Sequence, residues 1–172
     1  MNRNYYDGIN FWNEEAKHKR IEYPINEEII EKAQEILNIK FPSSFIELMS
    51  IQNGGELNYN NFILPNGDAE SIPYGEQVRF PSIEPIHFEK DDISILSSLE
   101  LLEEIEGISK ESFIVLWTDY HYWVVLDYQD RINNPSVVYI AENFAASTYD
   151  KTAWEFIKVA ESFDDFLKML FR

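Results

Sequence analysis

Phe113-Ile114-Val115-Leu116-Trp117 and Tyr122-Trp123-Val124-Val125-Leu126-Asp127-Tyr128, joined by Thr118 to His121, decide the fold. Both runs are rich in β-branched and aromatic residues, and the short polar-aromatic join predicts a β-hairpin. Asn133-Asn134-Pro135 marks the next turn. Val137-Val138-Tyr139-Ile140 is a third strand and Trp154 to Val159 a candidate fourth. Strands that follow one another through short turns form an antiparallel meander.

Helical signals flank this meander. Asn26 reads as an N-cap, with Glu27 and Glu28 placed to favour the helix dipole. Ile29, Ala33, Ile36 and Leu37 recur at helical spacing, which predicts an amphipathic helix over Glu27–Leu37. A second helix begins at Phe41-Pro42-Ser43-Ser44, lines one face with Phe45, Leu48 and Met49, and stops at Asn53-Gly54-Gly55. Upstream, Tyr5 to Arg20 reads as a short helix packing Phe11 and Trp12 on the body, ended before Pro24. Asn61 to Pro65 reads as a short strand followed by Asn66-Gly67, and residues 66–92 as a long irregular surface segment. A third helix is expected with Ile95, Leu96, Leu99, Leu102 and Ile105 inward, Glu100, Glu103, Glu104 and Glu106 outward, and Gly107 at its end. Ser162-Phe163-Asp164-Asp165 is a capping box for a closing helix with Phe163, Phe166, Leu167 and Leu170 on its apolar face. The order predicts an α+β fold, an antiparallel sheet meander packed with helices.

The length of 172 residues suits one domain. Residues 1–25 read as an N-terminal extension or helix, and 27–170 as the core. There is no cysteine, so disulfides, thiolate nucleophiles and cysteine zinc sites are excluded. No apolar segment follows the first residues as a signal peptide requires, and no apolar run approaches a membrane span. A soluble cytoplasmic protein is the expectation. The net charge is −17, from 31 acidic and 14 basic residues. Residues 41–111 alone hold 14 acidic and 3 basic residues. Such a field repels nucleic acid and anionic membrane and attracts basic partners. Acidity also serves solubility alone, but solubility gives less reason for clustering.

Three segments in this order resemble one family. The helix, Phe41-Pro42-Ser43-Ser44-Phe45, helix, Asn53-Gly54-Gly55 element is similar to that of the SUKH superfamily, which includes the Smi/Knr regulators of fungi. Trp123-Val124-Val125-Leu126-Asp127-Tyr128 resembles its central strand ending in Leu-Asp. Ala160-Glu161-Ser162-Phe163-Asp164-Asp165-Phe166-Leu167 resembles its closing helix. The resemblance spans roughly residues 27–170. It implies an α+β domain without enzymatic activity or cofactor. It also implies a protein-binding role, in bacterial members mostly as immunity proteins against polymorphic toxins. Family members often carry a glycine-rich turn before the Leu-Asp strand. Here the turn is Thr118-Asp119-Tyr120-His121-Tyr122, a segment private to this chain.

No catalytic constellation stands out. His18, His87 and His121 are scattered, with no second histidine or carboxylate at helical metal spacing. The pairs Asp91-Asp92, Glu103-Glu104 and Asp164-Asp165 are expected by chance among 31 acidic residues, and Asp164-Asp165 suits a helix N-terminus. Asn66-Gly67-Asp68 lacks the ligands of a calcium loop. Trp117 to Trp123 holds four aromatics in seven residues, suited to cross-strand packing or to an interface hot spot beside Asp119.

Three functions are compatible with this reading: an immunity protein that occludes a basic toxin, a regulatory or scaffolding module, and a hydrolase using a carboxylate pair. For the first, two contact surfaces compete. One is the acidic helix with its preceding loop: Glu100, Glu103 and Glu104 with Asp91 and Asp92, extended by Asp68, Glu70, Glu76 and Glu89. The other is the aromatic turn at Asp119, Tyr120 and Tyr122.

Overall fold

A computed structural model describes residues 3–19, 22–65, 76–142 and 154–172, with backbone only for 17–19. The Asn66-Gly67 turn, Asp68, Glu70 and the His18 side chain lie outside the described residues. The centre is a four-stranded antiparallel sheet of β5 (Phe113–Thr118), β6 (Tyr122–Asp127), β7 (Ser136–Glu142) and β8 (Trp154–Ala160), in that spatial order. Val125 pairs with Val138, and Val138 with Lys158, which fixes the register across three strands. A register shift between Val115 and Trp117 bends β5.

Side chains alternate between the two faces, and both faces are covered. Ile114, Leu116, Val124, Leu126, Val137 and Tyr139 belong to the larger core. Phe113, Val115, Trp123, Val125, Val138 and Ile140 belong to a smaller one with Leu101, Leu102 and Ile105. Double coverage explains why these strands read as near-continuous apolar runs.

Helices α1 (Glu27–Leu37), α2 (Ser43–Ile51) and α4 (Phe163–Met169) supply residues to the larger core, and α3 (Ser98–Leu101) supplies Leu101 to the smaller. Asn26 caps α1 by accepting the Ile29 N–H at 2.9 Å. Asn38, in the left-handed conformation at φ 53°, closes it. The α1 apolar face is rotated from the expected one. Ile30, Ala33 and Gln34 are buried, whereas Ile36 is 57% exposed. Gln34 turns inward because its Oε1 accepts the Phe41 N–H (2.9 Å) in the link to α2. Pro42 stands at the N-cap of α2, and Phe45, Leu48 and Met49 are buried as expected. Ser162 caps α4 by accepting the Asp165 N–H (3.1 Å), and its hydroxyl donates to Asp165 Oδ2 (2.9 Å), so the reciprocal bond ends on the serine side chain.

Among its described residues the N-terminal segment contains a 3-10 helix, Glu14–Lys19, in place of the short helix read over Tyr5 to Arg20. Phe11 and Trp12 do pack into the core, and Trp12 Nε1 donates to the Leu48 carbonyl at 2.9 Å. From residue 76 onward the long segment is more ordered than its composition suggests. It contributes β3 (Gln77–Arg79), paired with β2 (Asn61–Ile63), and β4 (Ser82–Ile83), paired with β1 (Gly55–Glu56).

The expected third helix is the largest correction. Only Ile95–Ser97, a 3-10 turn, and the short α3 are helical, and turns follow. Past α3 the Glu103 N–H bonds Glu100 (3.1 Å) and the Ile105 N–H bonds Leu102 (3.0 Å), each one residue short of the α-helical partner, and the Leu101 carbonyl accepts Trp123 Nε1 at 2.7 Å. Ser98 further ties this segment to the sheet, its hydroxyl donating to Ile95 and accepting from the Val115 N–H at 2.8 Å. Leu99 is consequently 53% exposed while Leu101 is buried. Among the described residues no helix is long and apolar enough to cross a membrane.

Tyr128, just after β6, carries a pH signature. Its hydroxyl donates to the Lys40 carbonyl at 3.0 Å, and burial pushes its pKa well above the ordinary value. An unfolded tyrosine releases its proton near pH 10 while the folded one holds it. Above that pH the folded state binds more protons than the unfolded state, so stability falls as pH rises. Urea midpoints measured between about pH 9 and pH 11 should therefore fall, and Tyr128→Phe should flatten part of the decline. An unchanged slope in that variant would assign the effect elsewhere.

Candidate functional site

The two surfaces that compete in the sequence meet in the structure. Asp91, Asp92, Glu100, Glu103, Glu104 and Tyr120 line one depression of about 620 Å³. The loop 87–93 supplies one wall, α3 and its following turn another, and the β5–β6 turn the third. They converge because Ser98 and Leu101 anchor α3 to the sheet beside the hairpin. Asp91, Glu100, Glu103 and Glu104 are exposed, and Lys90 is the one cation among the described residues of the lining.

Tyr120 is 55% exposed and sits at φ 67°, a conformation that tyrosine rarely takes. The turn is built to hold it. Thr118 Oγ1 accepts the Tyr120 N–H (2.8 Å) and donates to the Tyr122 carbonyl (2.8 Å). Asp119 Oδ1 accepts the N–H groups of His121 (3.0 Å) and Tyr122 (3.2 Å). Asp119 thus shapes the turn and lies outside the lining of the depression. Tyr122 is not a surface residue at all. It is buried, rings with Trp117 and Tyr139, and donates its hydroxyl to the Arg79 carbonyl (2.7 Å). Strand alternation places it with Val124 and Leu126 on the larger core.

Asp92 is already engaged within the protein. The Tyr23 hydroxyl donates to its Oδ2, and the Ile93 N–H to its Oδ1 at 2.9 Å. The bond from Tyr23 holds the Asp92 pKa below the usual carboxylate value, and the same bond raises that of Tyr23 to about 12. Tyr23 stacks on His87, with ring centroids 3.8 Å apart. His87 Nε2 donates to the Ile93 carbonyl (2.9 Å), and Nδ1 accepts the Glu89 N–H (3.2 Å), closing the loop on itself. A general acid needs a raised carboxyl pKa. The bond from Tyr23 moves Asp92 the other way. Among the described residues no three His, Asp or Glu side chains are placed to hold a metal ion.

A second depression, of about 410 Å³, adjoins the first and shares Asp92 and Ile93 with it. Tyr23, Ile51, Asn53 and Gly54 line it. The sequence offered the Asn53-Gly54-Gly55 signal for this place, but read only as a helix stop. The Asn53 side chain does more, accepting the Ile86 N–H and donating to the Ile86 carbonyl (both 2.8 Å), as a strand neighbour would.

The sheet order, the proline-started α2, the Asn-Gly-Gly close approach and the serine-capped α4 together carry the elements on which the resemblance rested. The chain matches the family model described as SMI1 / KNR4 family (SUKH-1) over residues 24–169. No curated protein matches it. With most of its length inside that match, the chain belongs to the SMI1/KNR4 family, SUKH-1.

Proposed function

We propose that this chain is an immunity protein that binds and neutralises a cognate toxin domain of basic character by steric and electrostatic occlusion. SUKH proteins are known as immunity proteins, which sets the class of partner. The observation that carries the finer reading is the gathering of Asp91, Glu100, Glu103 and Glu104 around one depression walled by Tyr120. Lysines and arginines that hold nucleic acid on a nuclease would pair with these carboxylates. The aromatic wall offers a hot spot beside them. No step of catalysis is needed, and occlusion alone accounts for neutralisation.

The test is co-expression with the toxin encoded beside the gene. Cells should survive only when the chain is present. In purified form, the association rate should fall about tenfold or more between 0.1 and 1 M salt, with dissociation changing much less, because steering by exposed charge is screened. Death of co-expressing cells, or an affinity flat across salt, would count against the reading. Recovery of several housekeeping proteins in place of a toxin would instead favour a scaffolding module.

A further inference from the structure

We infer that the contact surface continues from the acidic depression into the one beside it, and that the two together seat a polypeptide segment in which an apolar residue is flanked by lysine or arginine. This rests on the immunity reading for the identity of the partner, but the chemistry of the segment follows from the walls. Ile51, at the end of α2, is 74% exposed, and Ile93 is 42% exposed. Both line the second depression. Two aliphatic side chains left in water on the walls of a concavity form the apolar half of a side-chain pocket. Single exposed isoleucines elsewhere on the surface call for no such account.

Among the described residues that line it, the second depression has carboxylates at Glu22, Glu84 and Asp92 and no lysine or arginine. The acidic depression begins where it ends, at Asp92 and Ile93. An occupant crossing that ridge meets two exposed isoleucines on the wall of a half-polar pocket, followed by a row of carboxylates. A cationic residue on either side of an apolar one satisfies both. An anionic lipid surface or a nucleic acid meets repulsion along the whole length.

The ridge is also held in place before anything binds. The hydrogen bond from Tyr23 to Asp92, the Tyr23–His87 stack and the two hydrogen bonds between Asn53 and Ile86 fix three chain segments against one another. A pre-formed pocket avoids part of the ordering cost of association.

The probe is a short peptide with one leucine between two pairs of lysines, titrated into the intact chain and followed by amide NMR shifts. Shifts should appear at Gln52, Asn53, Gly54 and Ile93 as well as at Asp91 and Glu100 to Glu104. Replacing the peptide leucine by glycine should weaken binding about tenfold and remove the shifts at Gln52 to Gly54 while sparing those at Glu100 to Glu104. Ile51→Ser, an exposed change, should reproduce that loss with the leucine peptide. Shifts confined to Asp91–Glu104, or insensitive to the leucine, would overturn the inference, as would the absence of binding. If the leucine peptide binds as described but the neighbouring toxin does not bind the chain, the immunity reading falls and the chemistry of the groove stands. If the toxin binds and the peptide leaves Gln52 to Gly54 unshifted, the reverse holds.

Discussion

Gly54→Ala should destabilise the fold by about 4 kcal/mol, and Gly107→Ala by only about 1 kcal/mol. Both glycines have positive φ, +76° and +80°, so both substitutions incur the left-handed penalty. They differ in what a new methyl group meets. At Gly107 nothing lies within 4 Å. At Gly54 an added Cβ would sit 2.7 Å from the Pro85 nitrogen, 2.8 Å from its Cα and 2.9 Å from the Ile83 carbonyl oxygen. All three are backbone atoms, one at the end of β4 and two on Pro85 just past it, so no side-chain rotation relieves the clash. Relief requires the 83–86 backbone to move away, which strains the Gly55–Ile83 pairing and the Asn53–Ile86 bonds together. Against a typical total of about 5–15 kcal/mol, a loss of that size is large. Urea unfolding of the two variants beside the parent gives the comparison directly. Equal losses at the two glycines would show that the close approach to Pro85 carries no energy.

That contrast bears on what the sequence can and cannot disclose. Asn53-Gly54-Gly55 is legible as the end of a helix, because glycine past the last turn is a local signal. Its second duty, letting another strand come within contact distance, depends on residues some thirty positions away. The main sheet is legible for the opposite reason. Phe113–Thr118 and Tyr122–Asp127 are long enough, and rich enough in β-branched and aromatic residues, to declare themselves. β2 at Asn61–Ile63 is legible as a short strand, but β1, β3 and β4 are two or three residues long and lie amid Pro and Gly, so no periodicity develops there. The segment from Ile95 to Ile105 errs the other way. Its apolar spacing suits a helix, but the segment docks on the sheet through Ser98 and the Leu101 carbonyl, and its backbone turns 3-10 from Glu103 onward.

The candidate site follows the same division. Glu100, Glu103 and Glu104 are legible as exposed acids, and Tyr120 as an aromatic in a turn. Their gathering around one depression is a product of α3 docking beside the hairpin, which no local pattern encodes. Tyr122 was misplaced because both faces of this sheet are covered. Alternation then distinguishes two cores and does not mark a wet face.

Reversing Glu100, Glu103 and Glu104 to lysine should abolish protection, with affinity for a basic toxin domain falling about a thousandfold or more. Each reversal removes an attraction and sets like charge against like, which costs several kcal/mol across a close interface. The fold should survive, since all three side chains are exposed; Glu100 lies in α3, where lysine matches glutamate in helix propensity, and Glu103 and Glu104 lie in the turn after it. Circular dichroism and urea midpoints establish that before any survival assay. The control is the same change of net charge placed elsewhere. Glu28, Glu31 and Glu35 are exposed on α1, outside the lining of both depressions. Their reversal should slow association but leave protection in place, because only the long-range field is altered. Equal loss in both triple variants would mean that net charge alone attracts the partner and that the depression is not the contact. Tyr120→Ala separates the walls of the site: truncating an exposed aromatic at a hot spot should weaken binding about tenfold through faster dissociation, with little change in salt dependence. Tyr122 is unsuitable for this comparison, since its ring is buried and its hydroxyl is bonded to Arg79, so that its removal would unsettle the sheet. Survival with the Glu100, Glu103 and Glu104 reversal, set beside death with Tyr120→Ala, would move the contact off the acidic wall and onto the turn.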